Sequence, residues 1–154
     1  MGYSRIGFAT DHAHSARNEH RWLAAFQAYA QTQGSRKVVF LPPYLPHQVK
    51  DATFYRWLDL HQPDAVVISR GYFVDLIKNS GRRVPQDIGI AWLSIDAGVA
   101  DVSGVDEQSE IIGELAVDLL GRLIARGLKG IPQTPEGLNV DGVWVPGATL
   151  RTLQ

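Results

Sequence analysis

The residues able to do chemistry fall in a few short stretches of the chain. Asp11-His12-Ala13-His14 offers a carboxylate and two imidazoles, and Tyr44 a phenol. Ser69-Arg70 supplies a hydroxyl and a guanidinium, and Ser94 with Asp96 a second hydroxyl and carboxylate. Each is ordinary as a single polar loop residue; significance would come only from convergence at one place. Such a mix of donors and acceptors beside aromatic surface suits a polyhydroxylated ligand such as a sugar, whose hydroxyls need both kinds of partner. Arg21 and Trp22 begin an amphipathic stretch and add a guanidinium and a ring within possible reach of the same place.

Catalytic and cofactor patterns are missing from these stretches. Asp11, His12, His14 and His20 could approach a divalent cation, yet no two of the histidines stand four residues apart on a helix. No metal is expected. Gly7 stands alone where a dinucleotide site would need G-x-G-x-x-G, and there is no G-x-x-x-x-G-K-[ST] phosphate loop. Ser69 lies in Val67-Ile68-Ser69-Arg70-Gly71, which has only the second glycine of a G-x-S-x-G elbow. A phosphate-accepting receiver would carry an aspartate where Ser69 stands. The expectation is therefore a non-catalytic protein without a cofactor. The alternative is a small α/β enzyme acting on a sugar-like or phosphorylated substrate, with Asp11 or His14 as acid or base.

Positioning these residues is the task of alternating elements. Ile6 and Phe8 mark a first strand ending at Thr10-Asp11. Trp22, Leu23, Phe26, Tyr29 and Ala30 recur at helical spacing, which predicts a helix over 16–33 with Ser15 as its cap. Val38-Val39-Phe40-Leu41 is an apolar strand stopped by Pro42-Pro43, and Phe54, Trp57, Leu58 and His61 predict a helix ended by Pro63. Strands follow at 65–68 and 88–93, separated by a short helix carrying Phe73, Leu76 and Ile77. The clearest helix covers 107–126, between Asp106 and Gly127, with a continuous stripe from Ile111 to Ile124. Val143-Trp144-Val145 reads as a final strand. Trp22, Trp57, Trp92 and Trp144 all sit where core residues belong. The strands are continuously apolar and alternate with helices, so a parallel sheet covered on both faces is expected, a three-layer Rossmann-like or flavodoxin-like α/β domain. Ligands of such sheets bind at the carboxyl ends of the strands, where the chemistry-bearing residues stand.

Composition agrees with one domain. The chain has 154 residues, 45% hydrophobic and 20% charged, enough apolar surface to offset the entropy of ordering. With 15 basic and 16 acidic residues the formal charge is −1, so nothing marks a general nucleic-acid or anionic-membrane surface. The absence of cysteine rules out disulfides and thiolate sites and fits a reducing cytosol. The longest uncharged apolar run, Ile88–Ile95, is far shorter than the ~20 residues that span a bilayer.

Taken together, certain segments resemble the LacI/GalR family of transcription regulators. Pro63-Asp64-Ala65-Val66-Val67-Ile68 and Val84-Pro85-Gln86-Asp87-Ile88-Gly89-Ile90 are similar to paired strand motifs of that family. Arg5-Ile6-Gly7-Phe8, Ala25-Phe26, Asp106-Glu107-Gln108, Ile112-Gly113-Glu114-Leu115-Ala116 and Gly142-Val143-Trp144-Val145-Pro146-Gly147 follow in family order, most like a xylose-regulator subgroup.

The resemblance implies a sugar-sensing domain of the periplasmic-binding-protein-like type I fold. It implies a cytoplasmic, dimeric regulator that meets operator DNA only through a headpiece outside these 154 residues. The chain would supply the second lobe, about 3–96 and 138–150, plus a helix at 107–126 that normally packs on the first. That helix is then expected to lie on its own sheet or to pair with a second copy. A lobe of a periplasmic sugar-binding protein is the other form of the same idea. Ligand contacts are expected from Asp11, His14, Arg21, Trp22, Tyr44, Ser69, Arg70 and Asp96. The chain departs from the family pattern in two of these places. Trp22 stands where a ligand-contacting arginine aligns, with Arg21 beside it, and Ser69-Arg70 replaces an Asn-Asp pair.

Overall fold

A computed structural model describes residues 2–33, 38–96, 98–128, 130–131, 134 and 137–152. Six strands form one sheet: β1 (Arg5–Ala9), β2 (Val39–Phe40), β3 (Ala65–Ile68), β4 (Gly89–Trp92), β5 (Gly104–Asp106) and β6 (Val143–Val145). Their spatial order is β2-β1-β3-β4-β5-β6. All neighbours are parallel except the last pair, in which Asp106 faces Val143 antiparallel. Five helices connect them: α1 (His12–Arg17), α2 (Arg21–Gln33), α3 (Asp51–His61), α4 (Tyr72–Asn79) and α5 (Ser109–Ala125).

Strand alternation decides which residues meet which helices. Ala9, Val66, Ile68, Ile90 and Trp92 face one side and build the main core with Phe54, Trp57 and Leu58 of α3 and Phe73 and Ile77 of α4. Phe54, Leu58, Phe73, Ile77, Ile88 and Ile90 are fully buried. The opposite face, with Ile6, Phe8 and Val67, is covered in part by α2, whose Phe26 ring stacks on Phe8 at 5.3 Å. An apolar groove of about 320 Å³ remains there between Trp22, Tyr29, Phe40, Val67 and Leu93.

The Pro63-Asp64 motif has a local physical role. The Asp64 carboxylate accepts the backbone N–H groups of Ser4 and Arg5, both at 2.8 Å, and so fixes where β1 begins beside β3. At the other edge, Thr149 lies across the gap between β4 and β5. Its hydroxyl donates to the Ile90 carbonyl and accepts the Ser103 N–H, each at 2.8 Å.

Five expectations change. The helix expected over 16–33 is two helices, because Glu19 and His20 adopt φ of 50° and 57° and break the turn between α1 and α2. Asp11 caps α1, whereas the expected cap, Ser15, is buried with its Oγ 2.8 Å from His20 Nδ1. The strand β5 was not expected, and Asp106 belongs to it, so the final helix begins at Ser109. Trp144 is not in the core: edge strand β6 leaves it 52% exposed, while Trp57 and Trp92 are buried. No residue of α5 is buried either, and Val117, Leu120 and Ile124 project into solvent, so this helix does not lie on the sheet of its own chain.

Candidate functional site

The carboxyl ends of β1, β3 and β4 open onto a cavity of about 290 Å³. His14, Ser69, Arg70, Gly71, Tyr72, Trp92, Ser94 and Asp96 line it. Three parallel strands of matched register end at one level, so the residues just beyond them must converge. Asp96 also borders a larger recess of about 460 Å³, between the loop after β4 and the start of α5, with Ile95, Asp106, Gln108 and Ser109.

Polar groups at the base of the site are paired. Ser69 Oγ donates to Thr10 Oγ1 at 2.7 Å, and both residues are buried. Ser69 thus faces another hydroxyl and no base, which removes it as an activated nucleophile. Asp11 is used twice: Oδ1 accepts the His14 N–H at 2.8 Å and Oδ2 accepts the Tyr72 hydroxyl at 3.0 Å. Burial opposes its charge, but these two hydrogen bonds, with His14 and Arg70 nearby, outweigh it and hold the carboxyl below its ordinary range. The same pair keeps Tyr72 protonated, since burial first and then the Asp11 charge push its phenol well up.

His14 is held neutral. Burial lowers its pKa, and the adjacent Arg70 guanidinium lowers it further. Arg70 Nη1, a donor, lies 3.4 Å from His14 Nδ1. Asn18 Nδ2, also a donor, lies 3.2 Å from Nε2, and a neutral imidazole has one acceptor nitrogen to serve the two. A neutral imidazole between two donors is poorly suited to donate a proton. Arg70 also lies 5.9 Å from the centroid of the Tyr72 ring.

Of the sequence-expected contacts, the structure brings together His14, Ser69, Arg70 and Asp96, with Asp11 directly behind them. Tyr44 is elsewhere: it is buried in the core, its ring 5.0 Å from Phe54 and its hydroxyl 2.7 Å from Thr53 Oγ1, so it offers no stacking face. Arg21 is exposed and paired with Glu19 at 2.5 Å, on the rim of a separate shallow recess that it shares with Trp22 and Glu107. Trp22 is half-buried, its ring 5.5 Å from His14, beside the cavity and not lining it. His12 stacks on His47 at 4.4 Å with His20 at 5.9 Å. Among the described residues no group of three potential ligands could hold a metal. The residues missed from sequence are Tyr72, whose position one step beyond Arg70-Gly71 was the available signal, and Trp92, read as core alone.

Known proteins place this arrangement. The family model for a periplasmic binding protein-like domain matches residues 1–149. No curated protein sequence matches the chain. Among solved structures, the transcription regulator CcpA of Lactococcus lactis superposes with a TM-score of 0.65 at 15% identity, over 97% of this chain and 57% of its own. The lac repressor dimer, solved on operator with the anti-inducer ONPF, gives 0.68 at 14% identity, over 98% and 54%. A sugar-binding LacI-family regulator from Escherichia coli, solved with phosphate, gives 0.62 at 19% identity, over 97% and 55%. The chain therefore spans little more than half the length of these regulators, and shares their fold over nearly all of its own. The mostly parallel sheet is the fold shared with these structures, and this chain belongs to the periplasmic binding protein-like domain family.

Proposed function

We propose that this chain is the effector-sensing part of a LacI-type transcription regulator, binding a sugar or sugar derivative without chemical conversion. The observation that carries the reading is the cavity beyond β1, β3 and β4, with serine, arginine, histidine, tyrosine and aspartate around it and no nucleophile–base pair. Residues 3–96 and 138–150 form the second lobe, and α5 docks on a first lobe supplied by the rest of the regulator. That docking explains why a helix with Val117, Leu120 and Ile124 on its surface is stable in the whole protein. His14, Ser69, Arg70 and Asp96 make the polar contacts, and Asp11 positions them through His14 and Tyr72.

In the regulator, a ligand held between the two lobes favours their closure and biases a dimer between two DNA-binding states by its differential affinity for them. DNA is met by a headpiece outside the 154 residues. No helix among the described residues is long and apolar enough to cross a membrane, and the regulator works in the cytoplasm. Calorimetry of the full-length regulator against pentoses, hexoses and their acid and phosphorylated derivatives tests the reading. Saturable binding by one of them is expected. Silence across the panel, or turnover of any member, refutes it.

A further inference from the structure

We infer that the ligand of this cavity carries an anionic oxygen group, a carboxylate or a phosphate, seated against Arg70 and the start of α4. This inference rests on the sensing role proposed above and specifies the ligand's chemistry.

Three observations converge. Arg70 is half-buried, and the ion pairs among the described residues are Arg21–Glu19, Arg82–Asp59 and Arg83–Asp87, none of which includes it. Its polar neighbour is the neutral imidazole of His14, and the nearby Asp11 carboxylate has both oxygens already engaged. Its five donors form a fork that matches a carboxylate or phosphate, and the His14 and Tyr72 contacts leave most of that fork available. Next, α4 starts at the cavity with Gly71 as its N-cap and no side chain capping it. The Phe73 and Val74 N–H groups already donate to the Arg70 and Gly71 carbonyls, so a helix start of this kind would meet an anion through Gly71 and Tyr72 and the dipole; the first-turn Asp75 is exposed. Finally, Trp92 is 3% exposed, and its indole Nε1 is the one buried side-chain polar atom without a partner among the described residues. Its ring forms the wall of the same cavity, pressed against Gly71, where an added Cβ would come within 2.5 Å of Cη2. An unpaired buried donor costs stability, a cost that an acceptor oxygen brought to this wall would remove.

A carboxylate also lines the cavity. Asp96, beyond β4, is exposed, and Ser69 and Ser94 line the same cavity. Asp96 can accept hydrogen bonds from hydroxyls and would repel a second anion. The geometry points to a polyhydroxylated chain with one anionic end, such as a sugar acid or a phosphorylated sugar.

The test uses the full-length regulator and calorimetric titration with matched sets: a neutral sugar, its aldonic acid and its phosphate ester. One charged member should bind at least about tenfold tighter than the neutral sugar, and the better of the two identifies carboxylate or phosphate as the group. In Arg70→Gln that preference should collapse, the charged and neutral ligands then binding within about threefold of each other. Trp92→Phe keeps an aromatic ring, smaller than the indole, and loses the N–H, so it should reduce the preference for the charged over the neutral ligand several-fold; circular dichroism confirms that each variant is folded. A neutral sugar that binds as tightly as its charged partners overturns this inference and leaves the sensing role standing. Binding by no member of any set across the pentose and hexose panel overturns both.

Discussion

Replacing Asp11 with alanine probes how the site is held in place. The carboxylate does two jobs, capping α1 through the His14 N–H at 2.8 Å and accepting the Tyr72 hydroxyl at 3.0 Å from the first residue of α4. Loss of an N-cap costs about 1 kcal/mol. Leaving the half-buried Tyr72 hydroxyl without its acceptor costs about 1 kcal/mol more, the lower part of the range because the pair is partly solvated. Together these predict about 2 kcal/mol, or a fall in Tm of about 4–8 °C for a domain of this size. The assay is thermal and urea unfolding of Asp11→Ala, Tyr72→Phe and the double variant. The two singles should be non-additive, with a coupling of about 1 kcal/mol, because each removes the same hydrogen bond.

The pH dependence has a fixed sign. Asp11 is held below its reference value of 3.8, so its contribution is present above that pH and is lost as the pH falls through the lowered value. The cost of Asp11→Ala should therefore be full at pH 7 and fade in strong acid. Additive singles, or a penalty that grows on acidification, would refute the assignment of Asp11 as the strut between α1 and α4.

Other substitutions test other parts of the structure. Gly71→Ala forces the Trp92 ring aside, since the new Cβ lies 2.5 Å from Cη2; a loss of about 1–3 kcal/mol and a shifted tryptophan emission are expected. Phe54→Ala empties the centre of the α3–α4 core, where Phe54 is fully buried, and should cost about 3–5 kcal/mol by urea unfolding. Leu120→Lys and Ile124→Lys on exposed α5 should change the stability of the 154-residue chain by under about 0.5 kcal/mol. The same changes should lower the Tm of the full-length regulator by several degrees if α5 docks on the other lobe.

Much of the fold could be read from the chain because its strands are uninterrupted apolar runs. Val66-Val67-Ile68 and Ile88–Leu93 are short apolar runs that read as strands of a covered sheet, and the helices between them leave little freedom of topology. From that followed where Ser69, Arg70 and Asp96 would meet. The break between α1 and α2 left no such trace, since Glu19 and His20 take positive φ without the glycine that usually marks it. Tyr44 was misleading for a different reason. It does follow β2, bridging to Ala9, but its ring turns into the core and its hydroxyl finds Thr53, a choice made by tertiary packing and invisible at the level of residue type. Trp144 failed because an apolar residue in an edge strand looks the same in sequence as one in the middle of a sheet. Tyr72 was overlooked because an aromatic at the head of a helix reads as packing until a carboxylate is found across from it.

The antiparallel closure of β5 against β6 has a consequence for how such a protein can vary. Asp106 and Val143 sit opposite each other, so everything between them leaves and returns through a single doorway in the sheet. The Thr149 clasp beyond it pins β4 to the residue leading into β5, so the doorway is secured from outside. What the chain does after passing through is decoupled from the stability of the sheet, because closing a longer loop costs only slowly more entropy. A different excursion, or a tight hairpin joining Asp106 directly to Val143, could be spliced in at this point without recutting the sensor beneath it.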